Sequence, residues 1–390
     1  MVAGGGIGGL ATALALQRSG WQVTVRERGQ TLDRGGAGLV LWPNALRCLA
    51  ALGVEAAVRD RSTALTGSTI RRADGRRLSG ISLDPAAASE RPLGIVRADL
   101  VDALAGSLAP GVLRLGDEVT DLGSKDADLL VGADGVRSVV RRSIAPDVEP
   151  DYRGYTVWRA LLQVSAESFG GHPELVETWG AGMRFGMVPV GTDSTYVYAA
   201  APAPAGERCG DELPALLERF GHWHDPIPDL LAAVQAAELV SAKSLRGRGP
   251  RSRGPEDGVR VLRHDIYDLP PGRTPLHRGR RVLVGDAAHA MEPNLGQGAG
   301  LALEDAVVLD HALATEPSAE AALRAYAALR APRVTALARQ SRQVGRLAQL
   351  TRPTAVALRD LAMQLTPDRL ARSATSAAVD WRPPSGLSSR

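Results

Sequence analysis

The chain has 390 residues, of which 44% are hydrophobic and 23% charged, the balance of a globular protein long enough for about two domains. Lys and Arg number 46 against 43 Asp and Glu, so the net charge of +3 gives no reason to expect a nucleic-acid partner. Cys48 and Cys209 are far apart, which argues against a disulfide framework or a metal site. With no apolar run of transmembrane length and no signal peptide, we predict a cytoplasmic protein without a membrane partner.

A glycine-rich turn between a predicted strand and a predicted helix opens the chain. The apolar start Met1–Ala3 runs into the pattern Gly4-x-Gly6-x-x-Gly9, and a helix is predicted from about Leu10 to Arg18. The alternating segment Trp21–Val25 then predicts a second strand that stops at Glu27. This β-α-β order is typical of a parallel sheet.

The residues of this turn favour a bound dinucleotide. Gly4 permits the tight turn, Gly6 lets the backbone approach a pyrophosphate, and Gly9 lets the helix pack closely on the strand. The helix N-terminus supplies N–H donors and a partial positive charge. Glu27 closes the next strand, where a carboxylate can accept both ribose hydroxyls of an adenosine. The alternative is a tight turn that binds nothing.

The middle of the chain predicts a second sheet of a different kind. A helix is predicted from Pro43 to Leu52, and the short apolar runs at 129–131 and 282–284 suit buried parallel strands. Between about 152 and 269, alternation predicts an antiparallel sheet with one helix at 213–220. From about 302 to 365 the chain predicts helices. The alternating segments are Tyr155–Leu162, Met183–Val190 and Thr195–Ala199.

A second glycine-rich turn follows the predicted strand at 282–284. The segment Gly285-Asp286-Ala-Ala-His289 brings a carboxylate to a strand end, and Pro293-Asn-Leu-Gly-Gln-Gly298 opens another helix. Asp286 there could bond the sugar-alcohol chain of a flavin. A helix N-terminus beyond Gly298 that faces the pyrimidine edge of the flavin ring would favour the anionic reduced form.

These motifs occur in an order that resembles the class A flavin-dependent aromatic hydroxylases, the p-hydroxybenzoate hydroxylase-like superfamily. The resemblance covers about the first 315 residues. Its segments are Gly4–Gly9 with Glu27, Trp42-Pro-Asn-Ala45, Val96-Arg97-Ala-Asp-Leu100, Asp128-Leu-Leu-Val-Gly-Ala-Asp134-Gly135-Val-Arg137-Ser138, and Gly285-Asp286 continuing to Gly296-Gln-Gly298.

The resemblance implies a fold and a division of the chain. The fold is α/β, with a doubly wound, glutathione-reductase-like FAD-binding domain, an inserted antiparallel-sheet substrate domain and a helical C-terminal region. The FAD-binding domain is expected at 1–68, 97–150 and 272–320, the substrate domain at 69–96 and 151–271, and the C-terminal helices and tail at 321–390.

The resemblance also implies roles for single residues. Glu27 would hold the adenosine ribose, Arg97 would reach the ribityl–phosphate region, and Asp286 would bind the ribityl chain. Arg184 and Pro293 are the candidate catalytic residues, with Pro293 beside the ring. The cofactor-binding set is Gly4, Gly6, Ile7, Gly8, Gly9, Glu27, Arg28, Val40, Arg97, Val119, Asp134, Asp286, Pro293, Gly296, Gln297, Gly298 and Ala299.

The activity implied is an NAD(P)H- and O2-dependent monooxygenation with tightly bound, non-covalent FAD. NAD(P)H reduces the flavin, O2 forms a C4a-hydroperoxide, and its distal oxygen passes to a small aromatic or polycyclic substrate of secondary metabolism. Epoxidation, Baeyer–Villiger oxidation and a non-catalytic FAD-binding scaffold remain alternatives. A halogenase is disfavoured because the W-x-W-x-I-P signature is missing. The protein is expected to be a monomer or homodimer.

Several other residues have a functional and a structural interpretation. His289 is expected to order its turn rather than to act as a general acid or base, and Arg137 is a secondary cofactor candidate beside Asp134. The cluster His222-Trp223-His224 is expected to be a packed or surface loop rather than a metal site. Arg184, Trp158 and Arg159 are either substrate contacts or ordinary strand residues. The substrate pocket is expected to have aliphatic and Met walls that include Met183, Met187 and Val188.

Overall fold

The structure is a computed structural model of the whole chain. It describes residues 1–33, 37–82, 90–120, 122, 127–169, 173–207, 212–245, 261–367, 370 and 376–384, and the statements below concern these residues.

The strands, in chain order, are β1 (Val2–Ala3), β2 (Val25–Glu27), β3 (Gly38–Leu41), β4 (Ser62–Ala64), β5 (Gly67–Arg72), β6 (Arg77–Ser82), β7 (Leu93–Val96), β8 (Leu113–Leu115), β9 (Leu130–Gly132), β10 (Asp151–Leu162), β11 (Glu174–Trp179), β12 (Arg184–Val190), β13 (Ser194–Pro202), β14 (Leu262–Asp268), β15 (His277–Arg278) and β16 (Arg281–Leu283).

The helices are α1 (Ile7–Arg18), α2 (Pro43–Ala51), α3 (Glu55–Arg59), α4 (Arg97–Gly106), α5 (Val139–Ile144), α6 (Leu213–Phe220), α7 (Ile227–Leu245), α8 (Asp286–His289), α9 (Gly298–Thr315), α10 (Ala319–Ala348) and α11 (Pro353–Leu365), with 3-10 turns at Ala166–Phe169 and Pro293–Leu295. Among the described helices, none combines the length and the apolar character needed to cross a lipid bilayer.

The first sheet has six strands in the order β15-β16-β9-β1-β2-β8. Its strands β16, β9, β1, β2 and β8 are parallel to their neighbours, and only the edge strand β15 is antiparallel. The predicted β-α-β start is confirmed, because β1 and β2 pair in parallel on either side of α1. The carboxyl ends of β16, β9, β1 and β2 therefore meet at one edge of the sheet.

The second sheet has seven strands in the order β14-β10-β13-β12-β11-β5-β6. Its pairs are antiparallel except β11 with β5. The prediction of an antiparallel sheet is thus confirmed for β10, β12 and β13. A third sheet of three short strands, β3-β7-β4, was not predicted.

Two helices on the second sheet form a separate core. The predicted helix α6 is confirmed, but α7 was missed, because its apolar residues fall in a region whose alternation favoured strands. Ile227 and Leu230 of α7 pack with Phe220 of α6 against side chains of the sheet. Around the first sheet, α1 and α9 contribute to two larger cores, one of them shared with α2 and α4.

Candidate active site

The three glycine- and acid-containing motifs converge at the carboxyl edge of the six-stranded sheet. Ala3 at the end of β1 pairs with Gly132 at the end of β9, and Gly132 pairs with Leu283 at the end of β16. The order of acids along this edge follows from the strand order. Asp286 follows β16, Asp134 follows β9, and Glu27 ends β2.

The glycines of the first turn have three different geometries. A Cβ on Gly4, whose φ is +106°, would lie 2.4 Å from the Ala133 carbonyl oxygen. A Cβ on Gly9 would lie 2.0 Å from the Gly4 carbonyl oxygen, because α1 packs directly on the turn. Gly6 is different, since no described heavy atom lies within 4 Å of its Cβ position. The open space at Gly6 is where a pyrophosphate would approach the start of α1.

The Glu27 carboxylate accepts backbone hydrogen bonds from the glycine turn and from the segment after β2. One carboxylate oxygen accepts from the Gly5 N–H at 2.7 Å and the other from the Gly29 N–H at 2.8 Å. Each carboxylate oxygen can accept a second hydrogen bond. The carboxylate is thus held beside the glycine turn with acceptor capacity left for two hydroxyls.

Asp134 has one satisfied and one unsatisfied oxygen. Its Oδ2 accepts from the N–H groups of Val139 and Val140 at the start of α5, at 2.7 and 3.3 Å. Its Oδ1 is buried and has no hydrogen-bond partner among the described residues. Arg137 is exposed, and its guanidinium lies 5.7 Å from the centre of the Tyr267 ring. A buried acceptor without a donor is costly unless a ligand supplies one.

Asp286 begins α8, directly after β16. Its side chain is exposed to solvent, yet burial by surrounding protein raises its pKa, against the opposing effects of His289, Arg97 and Arg159. A carboxylate that is both accessible and surrounded by protein lines a concave site. Arg97 also donates to the Asp33 carbonyl and carboxylate oxygens at 2.7 and 2.8 Å.

His289 has the ordering role predicted for it. Its Nε2 lies 2.6 Å from Asp305 Oδ2 on α9, and the same oxygen accepts from the Gly285 N–H at 2.8 Å. Burial acts to raise the pKa of Asp305, but His289 and Arg330 outweigh it and lower the value to about 2. Asp305 therefore fixes the turn that presents Asp286.

The turn from Pro293 to Gly298 has an exposed backbone. Pro293, Gly296 and Gly298 are exposed, and no described heavy atom lies within 4 Å of a Cβ on Gly298. Gly296 adopts the left-handed conformation, with φ +61°, and its Cβ position lies 3.1 Å from Trp42 Nε1. That indole N–H is buried without a hydrogen-bond partner in the described part of the chain.

Gln297 is buried under this turn and held from below. Its Oε1 accepts from Asn44 Nδ2 at 3.0 Å, and the Asn44 amide also donates to Glu304 at 2.7 Å. Gly300 leaves room for this contact, since its Cβ position lies 3.1 Å from Asn44 Nδ2. The turn is thus supported by α2 and α9.

One face of the seven-stranded sheet is joined to this turn. Arg184 at the start of β12 is 5% exposed and donates to Asn294 Oδ1 at 2.7 Å. Tyr155 of β10 donates to Glu292 at 3.0 Å. Side chains alternate along a strand. Residues an even number of positions from Arg184 therefore share its face, and so do the residues paired with them on neighbouring strands. These include Val157, Arg159, Tyr196, Tyr198, Ala200, Gly186, Val188, Glu177 and Trp179.

The opposite face is a core, which supports the structural alternative for Trp158 and shows that the expected Met walls are wrong. Trp158 packs under α6 and α7, and its Nε1 donates to Glu212 at 2.8 Å, so it is a structural residue. Met187 belongs to the same core and Met183 packs against it, so neither residue forms a pocket wall on the Arg184 face. The predicted Met walls are replaced by the rings of Tyr155, Tyr196 and Tyr198 together with Val188.

Sequence analysis missed most of this polar face. Tyr155, Tyr198 and Glu177 were not singled out, because none belongs to a motif with a fixed spacing, and Asn294 was given no role within the 293–298 segment. The available signal was period-two alternation, which would have grouped them with Arg184 and Arg159 once the register was known.

The His-Trp-His cluster is a packed loop, as expected. His224 Nε2 lies 2.9 Å from Thr178 Oγ1, its Nδ1 lies 2.6 Å from the Asp225 carbonyl oxygen, and Trp223 is buried in the core under α6 and α7. In the described ranges, no three His, Cys, Asp or Glu side chains are grouped as metal ligands would be.

The remaining candidates occupy less direct positions. Ile7 is buried in the core between α1 and α9, and Gly8 lies close to Ala302 of α9. Val119 is buried in the core of the six-stranded sheet. Three further candidates are less buried. Val40 on β3 and Ala299 at the start of α9 are partly buried, and Arg28 is exposed.

The arrangement fits FAD in three independent respects. Gly6 and Gly298 leave open space at two helix starts on the same edge of the sheet. Asp134 Oδ1 is a buried acceptor without a donor. The acids Glu27 and Asp286 stand at opposite ends of this row, as an adenosine ribose and a ribityl chain require.

Comparison with known proteins supports this interpretation. A family model described as an FAD binding domain matches residues 272–341. The aurachin C monooxygenase/isomerase of Stigmatella aurantiaca is 35% identical over 94% of this chain and 93% of its own length. The 2-heptyl-3-hydroxy-4(1H)-quinolone synthase of Pseudomonas aeruginosa is 32% identical over 94% of each chain.

A solved structure agrees over nearly the whole chain. Klebsiella pneumoniae HpxO complexed with FAD and uric acid has a TM-score of 0.82 at 26% identity, and the match covers 99% of this chain and 97% of that one. With glycine turns and acids that fit FAD, and with relatives of this identity along its length, the chain belongs to the class A FAD-dependent monooxygenases of the p-hydroxybenzoate hydroxylase-like superfamily.

Proposed function

We propose that this monooxygenase hydroxylates an aromatic heterocycle held between the Arg184 face of the seven-stranded sheet and the turn at 293–298. The observation that carries the proposal is the hydrogen bond from Arg184 to Asn294, because it joins the sheet to the turn beside the open backbone of Gly298. The names of two relatives specify an aurachin and a 4-quinolone, which favours a fused, nitrogen-containing ring.

In this proposal each acid of the sheet edge has one task. Glu27 binds the adenosine ribose, and Asp134 Oδ1 accepts from a hydroxyl of the cofactor. Asp286 binds the ribityl chain, with Arg97 and Arg159 nearby to balance its charge. The N–H groups at the start of α9 face the pyrimidine edge of the ring, where they would stabilise negative charge.

The proposed domain division follows the same logic. The six-stranded sheet with its helices forms a doubly wound FAD-binding domain from 1–68, 97–150 and 272–320. The seven-stranded sheet with α6 and α7 forms most of the substrate domain, from 69–96 and 151–271. The bound at 68 falls inside β5, and β7 pairs with β3 and β4 of the first segment. The helices after 320 complete the structure, and α10 contributes Arg330 to the network around Asp305.

FAD, once reduced by NAD(P)H, supplies the activation of O2. The protein's own residues orient the substrate and exclude water. Burial and the neighbouring Glu177 raise the pKa of Tyr198 well above its ordinary value, so this phenol remains a hydrogen-bond donor at neutral pH. Burial likewise raises the pKa of Tyr155. Both phenols donate to carboxylates, so they fix the geometry of the face.

The test is a substrate screen with the purified, FAD-loaded protein. Quinolones, hydroxyquinolines and simple phenols are added with NADH or NADPH, and NAD(P)H consumption, H2O2 release and product mass are measured together. A heterocycle that accelerates NAD(P)H consumption and gains one oxygen atom with little H2O2 supports the proposal. Acceleration by phenols alone would exclude the heterocycle, and release of FMN rather than FAD on denaturation would contradict the cofactor assignment.

A further inference from the structure

The Arg184 guanidinium lies beside a carboxylate of the neighbouring strand β11. Arg184 Nη1 lies 3.5 Å from Glu177 Oε1, and the two side chains are 6% and 13% exposed. A buried arginine alone would attract an anionic substrate, because an unpaired charge away from water is costly. Here the charge already has a partner inside the protein.

Glu177 is held in place from two other directions. Tyr198 donates to its Oε1 at 3.0 Å, and Trp179 Nε1 donates to its Oε2 at 2.6 Å. The Tyr198 ring lies against Gly186, since a Cβ there would be 2.0 Å from the ring. Glu177 therefore cannot swing away from Arg184 without breaking both hydrogen bonds.

Two other arginines, Arg159 and Arg153, lie near this face. Arg159 interacts with the Tyr196 hydroxyl and lies near enough to Asp286 to oppose the rise in its pKa. Arg153 lies 3.3 Å from Glu292 and 3.7 Å from Asp268. Arg184 and Arg153 therefore each have a carboxylate within 4 Å.

We propose that Glu177 is a specificity-determining residue that makes the site select uncharged ring substrates over aromatic carboxylates. The inference rests on the proposed function, because it assumes that the ring binds on the Arg184 face. A carboxylate brought to Arg184 would meet Glu177 and a cation that already has an anionic partner, and like charges in contact repel. A neutral carbonyl needs only a donor, and the Arg184 guanidinium carries five N–H groups, of which its contacts with Asn294 and Glu177 leave some free.

The test compares isosteric ligands that differ only in charge. The probes are 4-oxo-1,4-dihydroquinoline-2-carboxylate with its 2-carboxamide, and 4-hydroxybenzoate with 4-hydroxybenzamide. Their dissociation constants are measured by titration calorimetry on FAD-loaded wild-type protein, on Glu177→Gln, and on Glu174→Gln. Glu174 lies on the same strand with its side chain on the opposite face, so its variant loses the same charge away from Arg184.

We expect the wild type and Glu174→Gln to favour the amide by about tenfold or more in at least one pair. In Glu177→Gln the preference should reverse through tighter binding of the carboxylate, and Arg184→Gln added to that variant should remove the gain. Equal binding of both members by the wild type would overturn the proposal. So would an unchanged ratio in Glu177→Gln, or no binding of any probe to either protein.

The outcome is separable from that of the proposed function. The ligand ratio is an equilibrium measurement, whereas the monooxygenase assignment depends on NAD(P)H consumption and product mass. If Glu177→Gln does not fold, as judged by its thermal unfolding, the wild-type ratio alone decides, and a preference for the carboxylate overturns the inference.

Discussion

Arg184 on β12 donates a hydrogen bond to Asn294 in the turn before α9, at 2.7 Å, and so joins the seven-stranded sheet to the open backbone at Gly298. Arg184 also pairs with Glu177 on β11. The planar guanidinium can donate to Asn294 and face Glu177 at the same time. A lysine ammonium is a single point charge and cannot reproduce this geometry.

Arg184→Lys should therefore weaken substrate binding while FAD remains bound. Losing one charge-assisted hydrogen bond costs about 1.5–3 kcal/mol, or roughly 10- to 150-fold in dissociation constant. The measurement is a substrate titration followed by the flavin absorbance, with FAD content determined on the same sample. An unchanged dissociation constant would show that Arg184 does not position the substrate.

Glu27→Ala should weaken FAD binding by about 2–4 kcal/mol, roughly 30- to 1000-fold, because one or two hydrogen bonds to the ribose are lost. Glu55→Ala is the control, since it removes a carboxylate from a surface pair with Arg59 on α3. FAD titration of the FAD-free protein measures both constants. A change of less than about threefold in the Glu27 variant would exclude it as the ribose ligand.

Gly298→Val should affect the cofactor and leave the protein fold intact. The new side chain enters open space, whereas a Cβ on Gly9 would lie 2.0 Å from the Gly4 carbonyl oxygen. We therefore expect Gly298→Val to bind FAD more weakly with an unchanged unfolding temperature without FAD, and Gly9→Ala to unfold at a lower temperature. If both variants lose stability equally, the open space at Gly298 is not the cofactor site.

Gly298→Val should also lower the two-electron potential of the bound flavin. Moving the start of α9 away from the ring removes about 1–2 kcal/mol of stabilisation of the reduced anion, which is the size of a helix-terminus interaction in a partly buried site. This corresponds to roughly 20–45 mV. A dye-equilibrated redox titration at matched FAD occupancy measures it. An unchanged or higher potential would mean that α9 does not point at the ring.

Asp305 should make the protein sensitive to acid. Burial opposes ionisation, but His289 and Arg330 lower the pKa of Asp305 from 3.8 to about 2, so its carboxylate stabilises the folded state. A lowered pKa contributes stability that is complete above about pH 4 and is lost as the pH falls toward 2. The contribution at pH 7 is about 2 kcal/mol.

Urea unfolding at pH 7 and at pH 3 tests this role. Asp305→Asn should lose stability at pH 7 by about 3–5 kcal/mol, because Arg330 loses a buried partner, and its stability should fall less than that of the wild type between the two pH values. Glu320→Gln, an exposed pair with Arg324 on α10, is the control. Equal pH dependence in the Asp305 variant and the wild type would contradict the proposed ion pairing.

The row of glycines and acids along the sheet edge could be predicted from the sequence. Gly4, Gly6 and Gly9 have the spacing typical of a strand–turn–helix junction. Glu27 ends the strand after the first helix, and Asp286 follows the short apolar run at 282–284. The carboxyl ends of parallel strands meet at one edge, so the motif order was enough to bring these residues together. In the structure, α1 packs closely on the turn at Gly9, and the Cβ position of Gly6 faces open space.

The substrate face was decided only by the tertiary structure. Both faces of β10, β12 and β13 carry apolar and aromatic residues, so alternation predicted strands but did not show which face meets the turn at 293–298. Trp158 and Arg159 are adjacent in sequence, yet one lies in the core under α7 and the other near Asp286. Glu177 meets Arg184 through strand pairing, which depends on register rather than on any local pattern. A shift of one residue in that register would exchange the two faces, and packing of α6 and α7 on one side is what fixes it.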